Sequence, residues 1–319
     1  MRDERAATDL LGRALDRRAD LHADSRTTCY RIFNGGGDGI DGLCVDRYGE
    51  YLLVQLYEPS LYDAIDVIRA SLETIAARTP FPVAGVLAKD RTLVRETVEI
   101  AERRRSVLLL GERPPEDYVV LQNGLRAAVD LLHGQNTGVF LDMREVRDAL
   151  AQVYAETHDL INLFCYTGLF SVHALAHGVS RAVNVDLSRP FLRRARRNYA
   201  LNGLPVDDRD FICGDSFEWS RRFSRQERRF DLVVFDPPTF SRNKRKTFSV
   251  KRNYRQALAA LDMIAGRYAL TAVNSQTVCE DEYRAFHPTG WKCLFVRHEP
   301  PDFRLDGAPY LKAGLWHTR

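Results

Sequence analysis

The stretch "DLINLFCYTGLFSVHALAHGVSRAVNVDLSRPFLRRARRNYALNGL" (residues 159–204) decides the fold. Two short apolar runs, "DLINLFCYT" and "RAVNVDLS", alternate in it with two longer stretches of helical pattern, "GLFSVHALAHG" and "RPFLRRARRNYALNGL". Two further apolar runs, "RDFICGDS" and "FDLVVFDPP", follow. Strands that alternate with helices predict a parallel sheet. We therefore expect an α/β domain with a doubly wound, Rossmann-like sheet.

Polar residues stand at the carboxyl end of each predicted strand. In open sheets of this type, ligands bind beyond these ends, so the polar residues should face one crevice. They are Cys165, Tyr166, Thr167 and Gly168 after the first strand, Asp186 after the second, Asp215 and Ser216 after the third, and Asp236 after the fourth. The sequence thus predicts one ligand site formed by residues at the ends of four strands.

The spacing of two of these residues indicates the kind of ligand. Asp186 lies 18 residues after Gly168, close to the roughly 20-residue offset at which an acid meets the ribose of a nucleoside cofactor. The sequence has no GxGxxG fingerprint, so a pyrophosphate would lack its glycine cradle. This combination favours a nucleoside without phosphates, such as S-adenosylmethionine, over a dinucleotide.

The rest of the chain suggests a second, smaller domain. With 319 residues and 45% hydrophobic content, the chain can form one large or two modest domains. We predict an N-terminal helix in residues 1–25, a small mixed α/β domain in residues 26–115, and the doubly wound domain in residues 116–319. The break "RPPED" precedes the last of these.

Composition excludes several classes of protein. The formal charge is only +3 at pH 7, so attraction to a polyanion must come from local clusters of Arg and Lys. The six cysteines form no CxxC pair, and the first residues are charged. No apolar run approaches the roughly 18 residues of a membrane span. We expect free thiols, a cytoplasmic location, and neither a membrane nor a metal as partner.

Four segments together resemble a known family. They are "GQNTGVFLDMREVR", "NLFCYTGLFSVHAL", "VNVDLSRPFLRRARRNYALNGL" and "DLVVFDPPTFS". In this order they resemble the class I S-adenosylmethionine-dependent methyltransferases that modify bases of bacterial 23S ribosomal RNA. The upstream "YRIFNGGGDGIDGLCVDRYG" resembles the small central domain of the same group. The resemblance implies S-adenosylmethionine as cofactor, 23S ribosomal RNA or a precursor of the large subunit as partner, and RNA contact by residues 26–115.

The resemblance also implies roles for individual residues. The cofactor would be held by Thr137, Phe140, Asp142 and Arg144 near its methionine end, by Phe164, Tyr166, Thr167 and Gly168 along its amino acid moiety, by Asp186 at its ribose, with Ser188 nearby, and by Asp215 and Ser216 at its adenine. The reaction site would be formed by Asp236, Pro237, Pro238 and Phe240.

One departure from the family pattern bears on the target atom. Family members that methylate cytosine C5 attack C6 with a cysteine in a "TCS"-like turn after the next sheet strand. Here Asn274 stands at that place, and Cys279 follows five residues later, where we expect a buried thiol inside a helix. Guanine N7 carries a lone pair and no proton, so it needs no such nucleophile. The sequence favours guanine N7, with cytosine C5 as the alternative.

A basic run follows the "DPPTF" motif. Residues 242–255 contain seven cations and no acid, interleaved with Phe248 and Tyr254. The cations are Arg242, Lys244, Arg245, Lys246, Lys251, Arg252 and Arg255. A solvated surface explains such a run in isolation, but beside the reaction site it could grip the phosphates around a flipped nucleotide. A small-molecule methyltransferase would have little use for it, and a non-catalytic RNA-binding protein would not need the strand-end motifs.

Overall fold

The computed structural model describes residues 3–92, 105–238, 240–242, 247–305 and 307–318. It contains two compact units. The first comprises Met1–Asp142 and Pro300–Gly307, and the second comprises Met143–Glu299 and Ala308–Arg319. The chain therefore passes between the units three times. The boundary lies at residue 142, whereas the sequence places the start of the second domain at about residue 116.

The first unit is built on a five-stranded sheet in the order β1-β2-β3-β4-β5. Only β3 and β4 are parallel; the other neighbours are antiparallel. The strands are β1 (Cys29–Asn34), β2 (Leu43–Tyr48), β3 (Tyr51–Leu56), β4 (Gly85–Asp90) and β5 (Val107–Gly111), and the helices are α1 (Glu4–Asp16), α2 (Ala19–Ala23) and α3 (Ile65–Ala76). One face of the sheet forms an apolar core with residues of α1 and α3.

Backbone hydrogen bonds explain why residues 116–142 belong to the first unit. A hairpin of β6 (Val119–Gln122) and β7 (Leu125–Ala128) follows β5. The Thr28 N–H donates to the carbonyl of Leu121 at 2.9 Å, and the Ser106 N–H donates to the carbonyl of Leu132 at 2.9 Å. These bonds satisfy backbone groups of the first unit.

Residues 300–307 are held in the same unit by polar contacts with β1. The Asp302 carboxylate accepts from the Arg31 N–H at 3.1 Å. The Asn34 side-chain amide donates to the carbonyl of Phe303 at 2.7 Å. The Arg31 guanidinium lies 4.2 Å from the centre of the Phe303 ring.

The second unit carries the alternating strands and helices that the sequence predicts. Its helices are α4 (Arg144–Ala149), α5 (Ala151–Tyr154), α6 (Leu169–Ala176), α7 (Arg189–Leu201), α8 (Ser216–Arg225), α9 (Val250–Asp262) and α10 (Glu280–Ala285). Its sheet strands are β8 (Asp159–Leu163), β9 (Arg181–Asp186), β10 (Phe211–Cys213), β11 (Phe230–Phe235), β14 (Ala265–Asn274), β15 (Lys292–Arg297) and β16 (Leu311–His317). A separate hairpin pairs β12 (Phe240–Arg242) with β13 (Thr247–Ser249).

The sheet of the second unit has the order β10-β9-β8-β11-β14-β16-β15. The pairs from β10 to β14 are parallel, and β16 is antiparallel to both of its neighbours. Buried apolar clusters cover the strands, one with residues of α9 and α10 and the other with residues of α4, α5 and α6. This arrangement confirms the predicted doubly wound α/β class, since chain order runs outward in both directions from β8. Among the described residues, no helix is long and apolar enough to cross a membrane.

Candidate cofactor and reaction site

The loop after β8 has an unusual backbone. Phe164, Tyr166 and Gly168 all have positive φ, at 58°, 52° and 74°. Such values are uncommon for residues other than glycine, and they are typical of segments held in place by their surroundings, often at binding sites. We call residues 164–168 the β8 loop.

Hydrogen bonds to β9 and α7 hold the β8 loop in this conformation. The N–H of Tyr166 donates to Oδ2 of Asp186 at 2.9 Å. The side-chain amide of Asn198, on α7, donates to the carbonyl of Thr167 at 2.9 Å. The N–H of Cys165 donates to the carbonyl of Val185, in β9, at 3.0 Å. The loop is thus fastened to the next strand and to the next helix, and Asn198 is a contributor that sequence reasoning missed.

Gly168 is required where it stands. Besides its positive φ, a Cβ on this residue would lie 3.0 Å from Cβ of Ala195 and 3.4 Å from Oδ1 of Asn184. The residue therefore allows α6 and α7 to pack closely beneath the β8 loop. This agrees with the role that a glycine has after the first strand of nucleoside-binding sheets.

A chain of buried hydrogen bonds lies under the β8 loop. The Asn162 amide donates to Oγ of Ser171 at 3.1 Å, and that hydroxyl donates to Oδ1 of Asn184 at 2.8 Å. The Asn184 amide donates to the hydroxyl of Tyr199 at 2.8 Å. All four side chains are at most 2% exposed. Because each sits on a different element, the chain fixes β8, α6, β9 and α7 relative to one another.

The carboxylate of Asp186 is oriented by backbone N–H groups. Oδ2 accepts from Tyr166, as described, and Oδ1 accepts from the Ser188 N–H at 2.8 Å. Burial raises the pKa of Asp186 above its ordinary value, and the N–H groups of Ser188, Tyr166 and Leu187 partly offset this rise. A carboxylate can accept about four hydrogen bonds, so these three N–H groups leave room for a further donor. A hydroxyl donor, such as that of a ribose, would therefore stabilise the ionised form.

Asp215 and Ser216 begin α8, and each has a structural contact. Oδ1 of Asp215 caps the helix by accepting from the N–H groups of Phe217 and Glu218 at 2.9 and 3.0 Å. The buried hydroxyl of Ser216 accepts from the Phe164 N–H at 3.0 Å. The third strand end is therefore linked to the β8 loop, and the place of both residues beside an adenine stays a prediction.

Apolar side chains at the same strand ends could receive a flat base. The partly exposed rings of Phe164 and Phe217 meet edge to face with centroids 5.3 Å apart, and both pack on the buried ring of Phe235, at 5.8 and 6.2 Å. Leu187, next to Asp186, is 58% exposed. Sequence reasoning missed Leu187 and Phe217. Leu187 could have been found, because it is an apolar residue directly after the strand-end acid Asp186.

Asp236, Pro237 and Pro238 directly follow β11, as predicted. Pro237 is buried and Pro238 is exposed. The neighbouring strand β14 pairs its Thr271 with Phe235 and continues to Asn274. Since β11 and β14 are parallel, Asp236 and the exposed Asn274 lie at the same edge of the sheet.

The expectation for Cys279 is wrong. The residue is exposed, whereas the sequence predicted a buried thiol inside a helix. It caps α10 from outside, and its sulfur accepts from the Glu282 N–H at 3.5 Å. The thiol is exposed because α10 begins one residue later, at Glu280, and the turn from β14 into it lies on the surface.

The residues before α4 are divided between the units. Thr137, Phe140 and Asp142 belong to the first unit, and Arg144 begins the second. The Thr137 hydroxyl is buried against the Tyr48 hydroxyl at 2.9 Å, and Phe140 is 42% exposed. Their contact with the methionine end of a cofactor stays a prediction.

The basic run has a structure that the sequence did not predict. It begins in the β12–β13 hairpin and continues into α9, where Lys251, Arg252 and Arg255 are exposed. Tyr254 does not belong to this surface: it is fully buried, and its hydroxyl donates to the carbonyl of Ala272 at 2.8 Å. Lys244, Arg245 and Lys246 lie outside the described residues, as do the side chains of Phe240, Arg242 and Phe248.

The described groups fit a nucleoside cofactor without phosphates. The ends of β9 and β10 present the carboxyl groups of Asp186 and Asp215, which suit hydroxyl and amine donors and would repel a phosphate. Phe217 and Leu187 add apolar surface beside them. Among the described residues, no group of three or more His, Cys, Asp or Glu side chains could hold a metal ion.

Comparison with known proteins agrees with this fit. Residues 30–316 match the family described as S-adenosylmethionine-dependent methyltransferase. YwbD of Bacillus subtilis, provisionally named a ribosomal RNA large subunit methyltransferase, is 33% identical over 96% of this chain and 78% of its own length. Ribosomal RNA large subunit methyltransferase I of Photobacterium profundum is 34% identical over 74% of this chain. The matched region spans 57% of that relative.

A solved structure shows the same fold with a cofactor product bound. SMU.776, provisionally named a methyltransferase and crystallised with SAH, superposes with a TM-score of 0.89 and 26% identity, over 99% of this chain and 82% of its own. The family match and the relatives together confirm the cofactor, S-adenosylmethionine, and the reaction class. The chain belongs to the S-adenosylmethionine-dependent methyltransferase family.

Proposed function

We propose that this protein methylates N7 of a guanine in 23S ribosomal RNA. Support for the RNA comes from the relatives named as large-subunit ribosomal RNA methyltransferases and from the exposed cations of α9. Support for N7 as the methylated atom comes from the residues at the edge of the sheet where β11 and β14 end. The observation that carries the proposal is Asn274 at the end of β14, where a cytosine C5 enzyme of this kind would carry its cysteine.

Methylation of guanine N7 requires few catalytic groups from the protein. S-adenosylmethionine supplies an electrophilic methyl group on a sulfonium. The N7 lone pair forms the new N–C bond as the S–C bond breaks, the electron pair stays on sulfur, and the positive charge moves to the purine. No proton leaves N7, so no general base is needed. Positioning alone can lower such a barrier by roughly 7–11 kcal/mol.

The residues after β11 would do the positioning. Asp236 would accept a hydrogen bond from the exocyclic amino group of the guanine, and its carboxylate would also stabilise the cationic product. Pro237 and Pro238 fix φ in the turn that carries Asp236. Phe240 would stack on the base, an interaction that contributes about 1–3 kcal/mol.

The product gives a direct experiment. Methylation at N7 weakens the glycosidic bond, so borohydride and aniline cleave the strand at the modified guanosine. We expect 23S ribosomal RNA treated with the wild-type protein and S-adenosylmethionine to be cleaved at one guanosine, and RNA treated with Asp236→Ala to remain intact. Methylated RNA that resists aniline would overturn the proposed atom.

Cytosine C5 is the second candidate, and the exposed thiol of Cys279 favours it. This thiol lies on the segment after β14, five residues from Asn274. A C5 enzyme forms a covalent bond to C6, so RNA that contains 5-fluorocytosine would remain attached to the protein on a denaturing gel. We expect no adduct and full methyl transfer by Cys279→Ser. An adduct that disappears in Cys279→Ser would establish the cytosine reaction instead.

A small-molecule methyltransferase would share the cofactor site. It would bind S-adenosylmethionine with the same residues but would show no salt-sensitive affinity for RNA. We therefore expect binding of 23S ribosomal RNA that weakens steeply between about 50 and 200 mM salt. Cofactor binding without any RNA binding would favour the small-molecule activity.

A further inference from the structure

One face of the five-stranded sheet of the first unit is apolar, and the other carries polar side chains among buried apolar ones such as Leu53 and Leu87. Residues that pair across neighbouring strands point to the same side of a sheet. Arg31 pairs with Asp46 between β1 and β2, and Gln55 pairs with Lys89 between β3 and β4. These four side chains lie on the face opposite the apolar core of α1 and α3. We call Arg31, Asp46, Gln55 and Lys89 the polar row.

Hydrogen bonds connect the polar row to Arg91, which follows β4. Arg31 donates to both oxygens of Asp46, at 2.7 and 3.2 Å, and the Gln55 amide donates to the same carboxylate. Arg91 Nε donates to Oε1 of Gln55 at 2.7 Å, and its Nη1 donates to the carbonyl of Gln135. The Asp46 charge is therefore balanced by Arg31, while both acceptors of Arg91 are neutral.

Lys89 adds a second cation without a bonded acid. Its side chain is 1% exposed, and its Nζ makes no hydrogen bond with any residue in the described parts of the chain. Burial and the charge of Arg91 lower its pKa to about 8, and only Asp130 acts in the opposite direction. At neutral pH the amine is still mostly protonated. The ends of β3 and β4 thus hold two neighbouring cations that a bound anion would stabilise.

An exposed aromatic ring lies beside these cations. Tyr57 directly follows β3, is 45% exposed, and has its hydroxyl 3.5 Å from Oε1 of Gln55, the atom that Arg91 also contacts. Two nearby acids accept hydrogen bonds from other groups. Asp90 accepts from the N–H and hydroxyl of Thr92 at 2.8 and 2.7 Å, and Asp130 accepts from the N–H groups of Leu132 and His133 at 3.1 and 2.9 Å.

We propose that Tyr57 and Arg91 form an RNA-contact site on the first unit, in which the ring stacks on an unpaired base and the guanidinium holds an adjacent phosphate. The combination of an aromatic face with a cation is how proteins bind single-stranded nucleic acid without reading its sequence. Lys89, buried beneath, contributes its charge and not a contact. The inference rests on the proposed function for the identity of the polymer as RNA.

The test uses the full chain and a 23S ribosomal RNA transcript, with affinity measured across a series of salt concentrations. Arg91→Gln should weaken binding and reduce the slope of log affinity against log salt by about 0.7. Arg91→Lys should show the wild-type slope of log affinity against log salt, since it keeps the positive charge. Tyr57→Leu should weaken binding about tenfold without changing the slope. Arg69→Gln, which removes an exposed cation on α3 of the same unit, is the matched control and should bind like wild type.

The Lys89→Met variant tests whether the charge of Lys89 contributes to RNA affinity independently of the stability of the fold. Removing a buried ammonium without a bonded partner should preserve or raise thermal stability, while RNA affinity falls by less than in Arg91→Gln. If Arg91→Gln and Tyr57→Leu both bind RNA with the affinity and salt slope of Arg69→Gln, the site is overturned. Failure of the wild-type protein to methylate 23S ribosomal RNA would instead refute the proposed function, because these binding measurements do not depend on methyl transfer.

Discussion

The Asp186 carboxylate accepts a hydrogen bond from the backbone N–H of Tyr166 at 2.9 Å. The bond joins the end of β9 to the β8 loop, where Tyr166 has a φ of 52°. One carboxylate thus fixes the β8 loop and is also the predicted partner of the cofactor's ribose. Changes at Asp186 should affect cofactor binding through both roles.

Asp186→Ala should weaken S-adenosylmethionine binding by at least about tenfold, because charge-assisted hydrogen bonds contribute about 1.5–3 kcal/mol. Isothermal titration calorimetry measures the affinity. Asp208→Ala is the control: this acid is exposed and contacts Arg196 at 2.8 Å, so cofactor affinity should not change. Equal affinities for Asp186→Ala and wild type would contradict the ribose assignment.

Gly168→Ala should reduce both stability and cofactor affinity. Its Cβ would lie 3.0 Å from Cβ of Ala195, in addition to the cost of a φ of 74°. Gly203→Ala is matched to it, since φ there is 67° and a Cβ would meet nothing within 4 Å. Gly203→Ala should cost only the backbone term of about 1–2 kcal/mol.

Urea denaturation and calorimetry together distinguish these two glycine variants. Gly168→Ala should lose more stability than Gly203→Ala and should be the only one of the two to bind S-adenosylmethionine more weakly. Identical behaviour would mean that close packing beneath the β8 loop has no part in cofactor binding.

Replacing Lys251 and Arg252 together by Ala should weaken RNA binding and flatten its salt dependence by about 0.7 log units for each phosphate contact that is lost. Cofactor affinity should be preserved. The control removes two exposed cations from α8, Arg221 and Arg225. If both double variants show the wild-type salt slope, the α9 cations are a solvated surface.

A buried histidine should make stability depend on pH. His287 Nδ1 lies 2.9 Å from the carbonyl of Tyr283, so it carries the proton, and Nε2 accepts from the Thr271 hydroxyl at 2.8 Å. Its ring stacks on Trp316 at 3.7 Å. Burial lowers the pKa of His287 from 6.5 to about 4. The folded protein therefore holds this imidazole neutral.

Because the unfolded chain binds this proton first, stability should fall as the pH drops from 6.5 towards about 4, with no further loss from this group below that. The loss amounts to roughly 3 kcal/mol. His287→Gln removes the titrating group. The difference in free energy of unfolding between wild type and variant, measured in urea at several pH values, should decrease over this window; a constant difference would refute the assignment.

The sequence predicted the parts of the site that local pattern controls. Alternating apolar runs and helical stretches gave the strands, and the position of Asp186 and Asp236 after them follows from chain order alone. Gly168 was predictable for the same reason. Each of these inferences needs only neighbours within about one strand and one helix.

Contacts between distant segments were not predictable. The Ser216 hydroxyl accepts a hydrogen bond from the Phe164 N–H, 52 residues away in the sequence. The Asp302 carboxylate accepts one from the Arg31 N–H, 271 residues away. The insertion of β16 between β14 and β15 likewise depends on pairing that no local pattern specifies. The exposure of Cys279 depended on where α10 begins, and helix boundaries are the least certain part of any sequence pattern.

Residues 300–307 also determine how the protein can be dissected. A fragment that ends at Asp142 would lose the acceptors of the Arg31 N–H and the Asn34 amide, and also the Phe303 ring against which the Arg31 guanidinium lies. A fragment that begins at Met143 would carry residues 300–307 as a loop between β15 and β16, without the residues of β1 that they contact. Because the chain crosses between the units three times, neither unit corresponds to one continuous segment of the sequence, and exchanging either unit as a whole would require three junctions.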